Sequence, residues 1–370
     1  MAIKRLFIAN RGEIALRIVR AAQALNIETV VAVSDADRDS AASRLADRSI
    51  VIGPASATKS YLDPNLIVHA AKETGCDGLH PGYGFLSERA ILPRLCDQHG
   101  IAFVGPKADV IDALGDKLRA RAMAGAAGVP LVPGSECIAS GADARREGNR
   151  IGYPVLLKAS AGGGGRGMKV VHDEKSVKEA MESAQRESKA FFGRDEIYVE
   201  RYLTWPRHVE VQLVGDKHGN VVWVSSRDCS AQRRHQKLIE EAPAPALPDG
   251  VEQAMGEAAV KAARAVGYYN AGTVEFIYQD DDFFFLEMNT RLQVEHPVTE
   301  VITGIDLVEW QIRVASGEKL PMTQKQVAAL RNGHGIEVRI NAENPSAGKF
   351  LPSPGTITKL TTPDGFGTRF

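Results

Sequence analysis

The most specific chemistry in this chain lies in a short acidic segment. Glu275 and Glu287 are equidistant from Asp281, the middle residue of the turn Asp280-Asp281-Asp282. A symmetric antiparallel hairpin sets such residues opposite one another, and Asn289 falls on the Glu287 face by the two-residue period of a strand. Facing carboxylates repel unless a cation lies between them. Two carboxylates and an amide are all oxygen donors, the set that holds Mg²⁺ or Mn²⁺ shared with substrate phosphates. Phe276, Ile277, Phe283, Phe284 and Phe285 argue for a strand pair packed on a core and against a solvated acidic edge. Arg291, Gln293 and Glu295 follow directly, so they would be presented beside metal-bound phosphates.

A second candidate is the run Ala161-Gly162-Gly163-Gly164-Gly165-Arg166-Gly167-Met168. It joins strand to strand and lacks the Gly-Lys-Ser/Thr ending of a Walker A loop, so it is not a P-loop. Adjacent glycines cost backbone entropy that a simple turn would not require. They point to a flap whose amides wrap phosphate oxygens. Lys158, at the end of the preceding apolar strand, would aim its ammonium at whatever the flap covers. Lys117, in Asp116-Lys117-Leu118-Arg119, reads on its own as a solvated helix face. The polar run Arg227 to Lys237 lacks the interleaved aromatics of a nucleic-acid patch and meets Glu240-Glu241 at once, which favours an anionic small-molecule pocket. His208 and His296 stand equally as site residues or as structural hydrogen-bonders.

These residues need a scaffold. Residues 3 to 8, 14 to 25 and 29 to 33 read as strand, helix and strand, which implies a parallel sheet. The alternation continues through helices near 66–74 and 89–99 and a strand at 101–104. The turn Asn10-Arg11-Gly12-Glu13 lacks the glycines that let backbone approach a pyrophosphate, so this is a Rossmann-like sheet without NAD. Later the pattern changes to strands at 155–158, 168–171 and 197–200, with a helix at 174–187 that ends before Phe191-Phe192-Gly193. Hairpins follow at 208–224 and 273–288, with helices at 251–266 and 307–315. Antiparallel pairs replace parallel units there.

Composition narrows the class. The chain has 370 residues, 45 Lys+Arg against 46 Asp+Glu, a net charge of −1 and 44% hydrophobic residues. Disorder, collagen and coiled coil are excluded, and a charge near zero argues against a general nucleic-acid binder. No run approaches the ~18 apolar residues of a membrane span, and the N-terminus lacks the apolar stretch of a signal peptide, so the expected compartment is the cytoplasm. Cys76, Cys96, Cys137 and Cys229 are too scattered for a disulfide framework or a structural zinc site.

Six segments together resemble one family, the biotin carboxylases of the ATP-grasp superfamily. They are Ile8 to Ile14, His80 to Glu88, Lys158 to Met168, Arg227 to Lys237, Glu287 to Pro297 and Glu337 to Glu343, in order along nearly the whole chain. The resemblance implies an α/β fold. Residues 1–115 would form a Rossmann-like N-terminal domain, and 116–318 an ATP-grasp α+β domain with a glycine-rich lid at about 132–203. Residues 319–370 would begin a β-rich C-terminal domain. The implied reaction phosphorylates bicarbonate with ATP and passes CO₂ from carboxyphosphate to a biotin ureido nitrogen. Its cofactors would be ATP, Mg²⁺ or Mn²⁺ and biotin on a partner carrier. The partners would be a biotin carboxyl carrier protein or domain, a carboxyltransferase and a second copy in a homodimer, with neither nucleic acid nor membrane.

By motif position, Lys117, Lys158 and His208 resemble phosphate contacts, and Glu200 to Leu203 the adenine hinge. Gly163, Gly164, Gly165, Met168, Gln232 and His235 match further ATP-binding positions, and Glu275, Glu287 and Asn289 match the metal positions. Lys237, Arg291, Gln293 and Val294 resemble the bicarbonate cradle with Glu295 as general base, while Tyr83 and Arg339 match positions that face biotin. Ser225-Ser226 departs from the family's usual Gly-Glu, at what reads as a strand end. The chain stops at Phe370, inside the implied C-terminal domain, so a fragment or dependence on a second chain is expected. Two other readings remain: an ATP-grasp ligase joining a carboxylate to an amine, and a non-catalytic interaction fragment.

Overall fold

The computed structural model describes residues 2–160, 167–234, 236–348, 350–363 and 365–369. They divide into two units, Met1–Glu337 and Val338–Phe370. The first begins with β1 (Arg5–Ile8), α1 (Gly12–Ala24) and β2 (Glu28–Ser34). Helix α1 forms where apolar residues recur at helical spacing, and it buries Ile14, Ile18 and Ala22. There follow α2 (Ala41–Leu45), β3 (Arg48–Gly53), α3 (Pro64–Glu73), β4 (Gly78–His80), α4 (Ile91–Gln98) and β5 (Ala102–Phe103). The strands pair in parallel in the order β3-β2-β1-β4-β5, as expected of a strand-helix-strand alternation. The order reverses between β1 and β4, where an open α/β sheet has its crevice. Asn10 sits there and donates from Nδ2 to the carbonyls of Pro81 (2.7 Å) and Tyr83 (2.8 Å), which fixes the loop after β4.

Helices α5 (Ala108–Gly115) and α6 (Lys117–Ala126) lead to a small layer. It contains β6 (Gly134–Ile138), α7 (Gly141–Ile151), β7 (Val155–Ala159), β8 (Met168–Val171), α8 (Val177–Phe192) and β9 (Ile197–Arg201). Its strands run in the order β6-β9-β7-β8, all neighbours antiparallel. Helix α8 extends past the expected end through residue 192, because only at Gly193 does the backbone turn left-handed (φ 72°) to cap it.

The largest sheet contains β10 (Arg207–Gly215), β11 (Val221–Arg233), β12 (Gln236–Ala242), β13 (Asn270–Gln279), β14 (Asp282–Asn289) and β15 (Gly335–Val338), in the order β14-β13-β10-β11-β12-β15. Helix α9 (Val251–Ala265) covers one face, packing Met255 and Ala259 on Val209, Val211 and Trp223. Helices α10 (His296–Thr303), α11 (Leu307–Ala315) and α12 (Gln324–Leu330) complete the unit. Strand β11 runs well beyond the expected 221–224, so Ser225-Ser226 is mid-strand and buried, not at a strand end. One core cluster joins Ile14, Ile18 and Val19 of α1 to Val214, Ala271, Leu292 and Trp310 of the later elements. In the second unit β16 (Glu343–Asn344) pairs antiparallel with β17 (Leu351–Pro352). Among the described residues no helix is long and apolar enough to cross a membrane.

Candidate active site

The β13–β14 hairpin brings the expected carboxylates together, by an unexpected route. Asp280 and Asp281 both have positive φ (54° and 64°), the two-residue turn that suits twisted strands, and Gln279 pairs with Asp282. Continued without interruption, that register would set Glu275 against Leu286. A bulge between Glu275 and Phe276 shifts it by one residue, so Phe276 faces Phe285 and Glu275 faces Glu287. The symmetry about Asp281 thus holds at the carboxylates because Leu286 is left unpaired.

Glu275 is a hub. One oxygen lies 2.9 Å from His208 Nε2, and the other accepts from Asn289 Nδ2 (2.8 Å) and Lys237 Nζ (3.0 Å). Lys237, on β12, also donates to Glu210 Oε2 (2.6 Å) and Glu295 Oε1 (2.8 Å). Glu295 stands at the start of α10, between Gln293 and Pro297. Burial alone would favour the neutral forms of Glu275, Lys237 and His208, but the charges around them prevail. Glu275 is held well below the usual carboxylate range despite burial, by hydrogen bonds from His208 and the charge of Lys237. Lys237 is raised despite burial, by Glu210, Glu275 and Glu295. His208 is raised despite burial, chiefly by its bond to Glu275. Its Nδ1 meets Gln232 Nε2 at 2.9 Å.

Arg291 lies beside this hub. Its guanidinium reaches Gln293 Oε1 (2.7 Å), Asn289 Oδ1 (3.3 Å) and Glu88 Oε2 (3.1 Å). Glu88 also accepts from the backbone N–H of Thr290 at 3.2 Å, so the loop after β4 grips the segment that carries Arg291. Val294 is half-buried in the turn before α10. From the same loop after β4, Tyr83 donates to Glu13 Oε1 at 2.5 Å. Arg339 belongs to the second unit and is half-buried within it.

On the other side of Glu287 a cleft is lined by Glu88, Lys117, Glu287, Asn289 and Thr290. Lys117 is the first residue of α6, capped by Asp116, and its Nζ lies 3.4 Å from Glu287 Oε2. The stretch that reads as a solvated face therefore aims one cation at the proposed metal carboxylate. Lys158 and Met168 are directly paired across β7 and β8. Lys158 Nζ bonds Glu200 Oε2 at 2.9 Å and lies 5.6 Å from the Tyr198 ring centroid, and Glu200 raises it despite burial. Glu200 also accepts from Arg121 Nη1 at 2.5 Å. Leu203 follows β9, half-buried. Gly163, Gly164, Gly165 and His235 lie outside the described residues.

The two carboxylates fit a hard cation: Glu275 and Glu287 are strand partners, both offer oxygens, and Glu287 is half-exposed to the cleft. Asn289 turns its amide nitrogen to Glu275 and its oxygen to Arg291, so it braces both groups. A bound Mg²⁺ would neutralise phosphate oxygens here. Glu210, Glu88 and Arg121 are not singled out by the sequence, and Arg227 is, but only as part of an anionic pocket. Arg227 in particular is no open cation for an anionic ligand: it is fully buried against Glu210.

A Rossmann-like sheet, a small antiparallel layer holding a lysine, and a larger antiparallel sheet with paired carboxylates define an ATP-grasp ligase. Residues 116–323 match the family described as carbamoyl-phosphate synthase L chain, ATP binding domain, and residues 2–111 match the biotin carboxylase N-terminal domain. The chain is 50% identical over 370 residues to biotin carboxylase of Haemophilus influenzae, covering 100% of this chain and 82% of that protein. A pyruvate carboxylase subunit of Methanothermobacter thermautotrophicus is 51% identical, with 99% and 74% covered. The alpha subunit of mitochondrial methylcrotonoyl-CoA carboxylase from Arabidopsis thaliana is 54% identical, but only 48% of its length is matched, against 96% of this chain. A solved biotin carboxylase complex with a β,γ-ATP ligand from Campylobacter jejuni superposes with TM-score 0.91 at 48% identity, covering 98% and 81%. The biotin carboxylase domain of Hydrogenobacter thermophilus 2-oxoglutarate carboxylase, solved with MgADP and bicarbonate, gives 0.90 at 46%, covering 99% and 81%. This chain belongs to the biotin carboxylases, ATP-dependent ligases that carboxylate biotin with bicarbonate.

Proposed function

We propose that this chain activates bicarbonate at the Lys237–Glu295–Arg291 cluster and transfers CO₂ to carrier-borne biotin: ATP + HCO₃⁻ + biotinyl carrier → ADP + Pi + carboxybiotinyl carrier. The observation that supports it best is the Lys237 ammonium held at 2.8 Å from Glu295 beside the Arg291 fork. That pairing suits an anionic substrate which must also lose a proton. Glu295 takes the bicarbonate proton, Lys237 and Arg291 neutralise the oxygens, and Gln293 and Val294 orient them. Lys117, Lys158, His208, Gln232 and Met168 serve the nucleotide, with Glu200 to Leu203 as the adenine hinge. Glu275, Glu287 and Asn289 serve the metal. Arg291 then faces the anion formed on biotin, helped by Tyr83. Carboxyphosphate hydrolyses readily, so fixed cations in a site that excludes water are what the chemistry requires.

The reading extends to a division at about 115 and 318, a cytoplasmic enzyme, a homodimer, and a partnership with a biotin carboxyl carrier and a carboxyltransferase. The final acceptor is an acyl-CoA, by likeness to the methylcrotonoyl-CoA carboxylases. Pyruvate is the second reading, favoured by the likeness to the pyruvate carboxylase of Methanothermobacter thermautotrophicus. The test is ADP release with free biotin, with and without bicarbonate. Release that needs bicarbonate is the expected result. Release that needs an amino acid instead would identify a carboxylate–amine ligase, and absence of ATP binding by calorimetry would identify a non-catalytic fragment.

A further inference from the structure

Arg227 is the largest fully buried side chain among the described residues. Its Nε donates to Glu210 Oε1, its Nη1 to Gln212 Oε1 (2.9 Å) and Thr299 Oγ1 (2.9 Å), and its Nη2 to Thr273 Oγ1 (3.2 Å). These partners come from β10, α10 and β13, so one planar fork joins the elements that meet behind the site. A lysine, whose donors all leave one atom, could not satisfy them together. Stability alone gives little reason for such a pair, because well-packed apolar side chains of similar volume often serve a core as well or better.

The other face of Glu210 shows what the pair is for. Its Oε1 is taken by Arg227 and its Oε2 by Lys237, so each carboxylate oxygen has an assigned cation. Lys237 in turn is shared among Glu210, Glu275 and Glu295. Its place is a balance among these anions, of which Glu210 is the one gripped by the buried Arg227. We propose that Arg227 is a positioning residue for bicarbonate activation: it fixes the Glu210 carboxylate, which fixes the Lys237 ammonium beside Glu295. This rests on the reading of Lys237 and Glu295 as the bicarbonate-activating pair. Without the guanidinium, Glu210 can turn about its side-chain bonds and draw Lys237 with it. A displacement of about 1 Å at a reacting group can cost about 10²-fold in rate.

The test compares Arg227→Lys, Glu210→Gln, the two combined, and Lys237→Ala, in the full chain. ATP affinity is measured by calorimetry, and KM and kcat from bicarbonate-dependent ATP cleavage. Arg227→Lys is expected to bind ATP within about threefold of the parent while kcat falls about 10- to 100-fold. Glu210→Gln should fall comparably, and the double variant should be no slower than the slower single variant, because both changes break one chain of contacts. A kcat within about twofold of the parent for Arg227→Lys, with Lys237→Ala inactive, would make Arg227 merely structural. Multiplying losses would separate it from Glu210 and overturn the proposal as well. Normal turnover by Lys237→Ala is a different failure, because it removes the bicarbonate reading itself. If Arg227→Lys does not fold, Glu210→Gln carries the comparison alone, and a parent-like kcat there overturns the proposal.

Discussion

At the scale of single residues, Glu287 separates catalysis from stability most cleanly. It is half-exposed, and its pair with Lys117 is long at 3.4 Å with both side chains over a third exposed, so it should contribute little to folding. Glu287→Gln removes one charge and one strong metal donor. Bicarbonate-dependent ADP release should fall at least about 10²-fold, with thermal stability unchanged within about 1 kcal/mol. Near-normal turnover would remove Glu287 from the metal site. Glu287, Asn289, Arg291, Gln293 and Glu295 are legible in the sequence because they lie close together: one strand and the turn after it place them all. Glu210 and Arg227 are not, because their meaning comes from strand pairing. Glu210 lies opposite Arg227 on one side and Glu275 on the other, partners 17 and 65 residues away in the chain (227 − 210 and 275 − 210). The alternation along 208–214 marks Glu210 and Gln212 as one face without saying that other side chains cover it.

At the scale of elements, the stability of the large sheet depends on how closely helix α9 approaches it. A Cβ on Gly256 would come within 2.3 Å of the Trp223 ring, so only glycine lets α9 lie this near to β11. Gly256→Ala should destabilise by about 1–3 kcal/mol in denaturant melts while leaving kcat per folded molecule near the parent's. An unchanged midpoint would mean that the ring moves aside freely. Glu337, on β15, gives a pH dependence. Burial first, and then the charge of Glu240, push its carboxyl up to about 8. The folded chain therefore keeps a proton that the unfolded chain loses near the usual carboxylate range, about 4 to 5. The stability linked to it is full below that range and is lost as pH rises through about 8. Glu337→Gln, permanently neutral, should raise Tm over the parent at about pH 8 and scarcely at about pH 4. An equal difference at both would contradict this. Strand β12 and the true length of β11 escaped the sequence because a polar run reads as a loop, whereas here its cations Arg227 and Lys237 are met by carboxylates of other elements. The bulge at Leu286 escaped it too, since nothing in Phe-Phe-Leu-Glu marks which residue is left unpaired.

At the scale of the molecule, the Rossmann-like sheet and the carboxylate-bearing sheet share hydrophobic core. Ile18 packs in one cluster with Val214, Leu292 and Trp310, and Arg17 ties α1 to Glu300 (2.9 Å) and Asp306 (2.7 Å). The pattern of strands and helices revealed both layers, but a shared core is a property of surfaces, which periodicity alone does not match to each other. Ile18→Ala, at a fully buried site, should cost about 2–5 kcal/mol and lower one common transition, with circular dichroism and tryptophan fluorescence shifting together. Two separated transitions would show independent folding. The shared core also lets Glu88 of the first sheet's loop hold Arg291 of the second, so the reaction belongs to the assembled unit. This unit is proposed to activate bicarbonate beside Arg291. The most direct test follows ADP release and ¹⁴C-bicarbonate fixation into free biotin, together with ATP affinity, in the parent and in Arg291→Ala. Arg291→Ala should leave ATP binding nearly intact and lower carboxybiotin formation by a factor on the order of 10² to 10³, the scale of removing one preorganised donor, with poor rescue by Arg291→Lys. Unchanged fixation, or a loss that merely tracks a loss of ATP affinity, would contradict it.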